Sequence, residues 1–156
     1  MPLPARTSPS LLYAVKRLEL VIRAELDELL RGSGVTTLQY TALTVLEHRD
    51  GVTAAQLARD SFVTPQSMAD MLRLMEGRGL IRRARNPQNR REMLIYLADE
   101  GTSFLARYAA PATALEERLV APLTGEDTAT VRQALSAMWA ALRTPETATA
   151  EHARPR

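Results

Sequence analysis

The stretch TPQSMADMLRLMEGRGLIRRARNPQNRREMLIYLADEG, Thr64 to Gly101, decides how the rest of the chain is read. It opens with Thr64-Pro65, a hydroxyl suited to cap the free amides of a helix start, followed by the imino acid preset for the first helical position. At helical periodicity Met68, Met71, Leu72 and Met75 fall on one side of the helix, while Gln66, Asp70 and Arg73 lie within a narrow arc opposite. One face reads as core and the other as polar. Gly77-Arg78-Gly79 ends the helix, and two strands are predicted beyond it, Leu80 to Arg85 and Glu92 to Leu97, joined through the turn residues Asn86-Pro87-Gln88-Asn89. In the second strand Met93, Ile95 and Leu97 share one face, and Leu94 and Tyr96 the other. The hairpin is a stiff stalk whose tip, Arg85 to Arg91, is cationic.

Working outward, Leu11, Val15, Leu18, Ile22, Leu26 and Leu29 recur as one stripe of a long first helix over Ser8 to Leu30, with Ser8-Pro9 as its cap and Gly32-Ser33-Gly34 as its stop. Thr37 caps a second helix carrying Tyr40, Leu43 and Leu46, which Asp50-Gly51 breaks. Thr53-Ala54-Ala55-Gln56 has the capping-box pattern and opens a short third helix to Asp60. After the fourth helix and the hairpin, Asp99 caps a fifth with Phe104, Tyr108, Ala112, Leu115 and Leu119, kinked at Pro111. Thr124-Gly125-Glu126-Asp127 opens a sixth with Val131, Leu135, Met138 and Leu142. The expected fold is mainly α with a small β-hairpin wing (α+β). It comprises an N-terminal dimerisation helix over 1–34, a winged helix-turn-helix over 35–98, C-terminal dimerisation helices over 99–143 and a disordered tail over 144–156.

Composition excludes several classes of function. With 156 residues the chain suits one domain, or a compact core with helical extensions. It contains no Cys, so disulfides, thiolate zinc sites and sulfenic-acid peroxide sensing are excluded. His48 and His152 lack ligand spacing, and no metal or other cofactor is expected. No apolar run approaches the roughly 18 residues of a membrane span, and the N-terminus lacks a signal-peptide core, so cytoplasm is the expected compartment and no membrane partner is expected. No nucleophile elbow, phosphate loop, HExxH or Cys-His set points to an enzyme. A net charge of +2 says little about nucleic acid, but seven arginines against one acid, Glu76, lie between Arg73 and Arg91. Such a lopsided block differs from a solvated face, where both signs mix.

Thr64 to Gly101 resembles the recognition helix and wing of the MarR family of bacterial transcriptional regulators. That family's pattern is a leucine-rich helix, a Gly-Leu-(Ile/Val) exit, an Arg-rich strand, Asp-Pro-x-Asp-Arg-Arg and a Leu-Thr-x-x-Gly close, and Leu72 to Gly101 follows it. This chain has Asn86 and Asn89 where the family has acids, and Leu97-Ala98 in place of Leu-Thr. Asn89 then orients Arg91 through a neutral hydrogen bond rather than a salt bridge. The resemblance implies double-stranded DNA as partner, with Thr64, Pro65, Gln66, Ser67, Asp70 and Arg73 at the major groove. Gln66 suits adenine, and Arg73 suits guanine or phosphate. Asp70 meets a cytosine amino group or a water, or pairs with Arg73 at i,i+3. At the wing Arg83 and Arg85 would meet phosphates, Asn89 is counted among the DNA-binding residues, and Arg90 or Arg91 would enter the minor groove.

A single module makes few contacts, and the apolar surplus at Leu11, Leu12, Val15, Leu119, Leu135, Met138, Trp139 and Leu142 exceeds what one wing domain can bury, so a homodimer on a palindromic operator is expected. By resemblance a small aromatic or phenolic effector would release the DNA, with Tyr13, Arg17, Tyr40 and Phe62 as its candidate pocket. Repression is the favoured mode. The rival readings are a winged dimer that binds protein and a nonspecific DNA binder.

Overall fold

The computed structural model describes residues 8–142. The elements run α1 (Leu11–Leu29), α2 (Thr37–His48), β1 (Val52–Thr53), α3 (Ala54–Asp60), α4 (Pro65–Gly77), β2 (Ile81–Arg85), β3 (Met93–Leu97), α5 (Asp99–Val120) and α6 (Gly125–Leu142). This is the expected α+β winged-helix order, and the expected tail over 144–156 lies outside the described residues.

Capping sets the helix starts. Ser10, not Ser8, caps α1, its hydroxyl accepting the Tyr13 amide at 3.2 Å. Thr36, not Thr37, caps α2. Gln39 stands three residues after Thr36 and returns the bond, its side-chain oxygen accepting the Thr36 amide at 3.0 Å, a reciprocity Thr37 has no partner for. Thr53 caps α3 with Gln56, and Thr64 caps α4 with Pro65 behind it, both as the residue types dictate. Asp99 is itself the first residue of α5, and that helix runs on through Pro111.

The sheet has three strands in the order β1-β3-β2, all antiparallel. Strand β1 is not foreseen from residue pattern, because two residues are too few to show alternation. Val52 pairs with Ile95, which also faces Arg83, and Ile81 pairs with Leu97. Val52, Ile95 and Ile81 are buried together with Leu43, Leu46, Leu57, Met68, Leu72 and Met75. Met93 shares their face but is exposed, since it lies towards the wing tip. The start of α5 packs directly on this layer: a Cβ on Gly101 would sit 2.1 Å from the Leu80 carbonyl oxygen, so only glycine fits. The same oxygen accepts the Ala98 amide at 3.1 Å. The chain divides into two compact units within α5, one up to Thr113 and one from Ala114. None of the described helices is long and apolar enough to cross a membrane.

Candidate nucleic-acid interface

The two faces of α4 differ as their residues require. Met68, Met71, Leu72 and Met75 are buried, whereas Thr64, Pro65, Gln66, Ser67, Asp70 and Arg73 are exposed. Thr64 is spent on the cap: its hydroxyl accepts the Ser67 amide at 3.2 Å and donates to the Ser67 hydroxyl oxygen at 3.0 Å. Asp70 and Arg73 form the i,i+3 ion pair that was the alternative to a base contact, and both side chains stay more than half exposed. The pair offers a reading surface an acceptor and a donor side by side, at reduced net charge.

The arginine block resolves into distinct duties. Arg83 donates to Glu76 through Nε at 2.9 Å as well as through Nη2, so the lone acid of the block ties β2 to α4. Arg83, expected at a phosphate, is held here by Glu76, which links the helix to the wing. Arg82 lies over the Tyr96 ring at 4.4 Å, a cation–π contact across the β2–β3 pair. Arg78, the C-cap of α4, reaches the carbonyl oxygens of Ser33, at 3.4 Å, and Gly34. Arg85 donates across the wing to the Arg90 carbonyl at 3.3 Å. The guanidinium groups of Arg90 and Arg91 carry no hydrogen bond or ion pair among the described residues, and both are exposed at the tip.

The two asparagines build that tip. Asn86 Oδ1 accepts the Gln88 amide at 2.9 Å while its Nδ2 donates to Glu92 at 3.0 Å, and Asn89 Oδ1 accepts the Arg91 amide at 3.2 Å. These side-chain-to-backbone turns do what Asx residues do best. Asn89 thus orients the Arg91 backbone rather than its guanidinium. Sequence reasoning missed Glu76, Arg78 and Glu92 as structural partners; of these, only Glu76 carried a signal, as the lone acid in a basic run.

The remaining candidates fall elsewhere. Arg17 lies 5.6 Å over the Tyr13 ring, both on the exposed side of α1. Tyr40 is half-buried against the core, where burial first and the Glu47 charge second push its hydroxyl pKa up. Phe62 is largely exposed on the α3–α4 turn. A groove between the start of α3 and the wing turn, lined by Thr53, Gln56, Arg59, Pro87, Gln88 and Leu94, includes none of these four. On α1 Leu11, Leu12 and Val15 are exposed, and neither α1 nor α6 buries a single residue. In the second unit Leu119, Leu135, Trp139 and Leu142 are exposed and Met138 is half-buried.

Comparisons with known proteins agree with this geometry. The family model described as MarR family matches residues 35–93. An HTH-type transcriptional repressor of Mycobacterium tuberculosis, Rv2887, is 31% identical over 112 residues, covering 72% of this chain and 81% of the relative. The transcriptional regulator HosA of Escherichia coli O111:H- is 29% identical over 93 residues, 60% of this chain and 69% of HosA. Among solved structures, the transcriptional repressor CouR bound to a 23-mer DNA duplex shares 32% identity with a TM-score of 0.67, over 86% of this chain and 93% of that one. Staphylococcus aureus MepR in its DNA-binding conformation shares the fold, with a TM-score of 0.79 at 23% identity, over 86% of this chain and all of that one (100%).

Proposed function

We propose, because this chain belongs to the MarR family of transcriptional regulators, that it acts as a repressor which reads a palindromic operator as a homodimer. The observation that carries the reading is the division of α4: four apolar side chains turned into the core, and Gln66, Ser67, Asp70 and Arg73 turned out from a capped helix start. A helix of this kind fits the major groove, where Gln66 suits the N6 and N7 edge of adenine. The uncommitted guanidinium groups of Arg90 and Arg91 suit the minor groove, where A·T tracts concentrate negative potential. The Arg83–Glu76 bond makes helix and wing one rigid reading head.

The dimer reading is supported by exposed apolar side chains on α1, on the end of α5 and on α6, a waste of hydrophobic stabilisation unless a second subunit covers them. In this reading 1–34 and 99–143 serve dimerisation and 35–98 serves DNA. Release by a small aromatic effector draws support from the Tyr13–Arg17 pair and the half-buried Tyr40, groups that stack on a ring or bond a phenol. An effector acts only if it binds one spacing of the two reading heads better than the other.

Selection from a random duplex pool, with competitor DNA present, tests this. The expected product is an inverted repeat with half-sites one helical turn apart, bound with a steep salt dependence as counterions leave the neutralised phosphates. A flat salt dependence or the lack of any enriched repeat would refute it.

A further inference from the structure

Phe62 is the one non-glycine residue with positive φ among the described residues, at +59°. The way α3 ends imposes this. Ser61 is the C-cap, and the Val63 amide reaches back to the Ala58 carbonyl at 3.0 Å, the bond of a Schellman motif. The residue between them must be left-handed and is usually glycine, because a Cβ there crowds the following carbonyl. Burial within the chain does not offset that strain. Ser61 and Val63 turn inward on either side, but Phe62 is 71% exposed. A bulky side chain kept in a strained conformation, with its ring in water, points to a counterpart outside the chain.

Three counterparts are possible, and position separates them. A small effector needs an enclosing pocket that buries most of it, which an open turn does not provide. The apolar surplus suited to a second copy lies on α1, α5 and α6. Phe62 stands instead two residues before Thr64, the cap of α4, next to the exposed first turn that carries Gln66 and Ser67. We propose that Phe62 is a specificity residue that packs its ring on the 5-methyl group of a thymine at the edge of each half-site. Thymine alone among the bases shows a methyl group in the major groove, and apolar side chains are its natural readers. This rests on the DNA-reading role of α4, and it moves Phe62 from the effector pocket to the interface.

The test uses the full-length protein and its selected duplex, with each thymine replaced in turn by deoxyuridine, which differs only in lacking the methyl group. One replacement per half-site should weaken binding by the parent about fourfold, the worth of one buried methyl group, and leave Phe62→Gly unaffected. Phe62→Gly relieves the strain, so it should melt at least as high as the parent while binding the unmodified duplex about tenfold more weakly. Phe62→Asn, which tolerates the left-handed region but is polar, should match it, and Phe62→Tyr should keep the thymine dependence. A deoxyuridine series that is flat, or that weakens parent and Phe62→Gly alike, overturns the proposal. So does a Phe62→Gly variant that changes only self-association or effector response. A parent that selects no duplex overturns this and the regulator reading together, whereas a parent that selects one but ignores deoxyuridine overturns this alone.

Discussion

Replacing Gly101 with alanine sets two effects of opposite sign against each other. Helix propensity favours alanine by up to about 1 kcal/mol. Packing opposes it: the added Cβ would lie 2.1 Å from the Leu80 carbonyl oxygen, 3.0 Å from its carbonyl carbon and 3.2 Å from the Leu97 Cδ2. A backbone oxygen cannot swing aside as a side-chain tip can, so relief needs the start of α5 to withdraw on the order of 1 Å from the sheet. Overpacking of this kind costs about 1–3 kcal/mol, and loss of the Ala98-to-Leu80 bond about 1 kcal/mol more. Set against the propensity gain, the net is a destabilisation of about 1–3 kcal/mol, or a fall in Tm of roughly 3–10 °C. Urea unfolding followed by circular dichroism at one fixed protein concentration should show a lower midpoint at unchanged slope. A Gly101→Ala protein as stable as the parent, or more so, would refute the claim that α5 and the wing are joined by this close approach.

Other outcomes follow from the same surfaces. Asp70→Asn removes the acid that neutralises Arg73, so binding should tighten and the salt dependence steepen by about one ion; an unchanged slope would mean Arg73 never reaches a phosphate. Leu135→Glu puts a charge into the proposed dimer surface and should give helical monomers in sedimentation, with specific binding lost; a persistent dimer would remove this face of α6 from the interface. The Thr124 hydroxyl and amide hold the Asp127 carboxyl below the usual range, so its support for the α6 start is full above the unfolded carboxylate range and is lost as pH falls through the lower folded value. Amide protection factors at the start of α6, with the intrinsic pH dependence of exchange divided out, should therefore fall below about pH 4, and Asp127→Asn should abolish that fall.

Much of the fold was legible because it rests on periodicity and capping chemistry. The methionine and leucine stripe of α4, the Thr53 and Thr64 caps and the apolar alternation of β3 each state their structure locally. Misplaced caps at α1 and α2 show the limit: Ser8 and Thr37 are chemically able to cap, and the choice fell to neighbours whose partners lay at the right spacing. Strand β1 was hidden because its order comes from β3, more than forty residues away in sequence, as the Val52–Ile95 pairing makes plain. The site was legible in its faces but not in its bonds. Which arginine meets Glu76, which meets a carbonyl and which stays uncommitted depends on register and on the α1–α2 loop, neither of which a linear basic run encodes.

The central claim is that the outer face of α4 reads bases while the wing tip grips DNA alongside. Dissociation constants for Gln66→Ala and Arg91→Ala, taken over every single-base variant of the selected half-site and over a range of salt, test it most directly. Gln66→Ala should erase about 1–3 kcal/mol of preference at one base step and leave the salt slope alone, whereas Arg91→Ala should weaken A·T-flanked duplexes and lower the slope by about one. Equal losses from both changes on every duplex would contradict it.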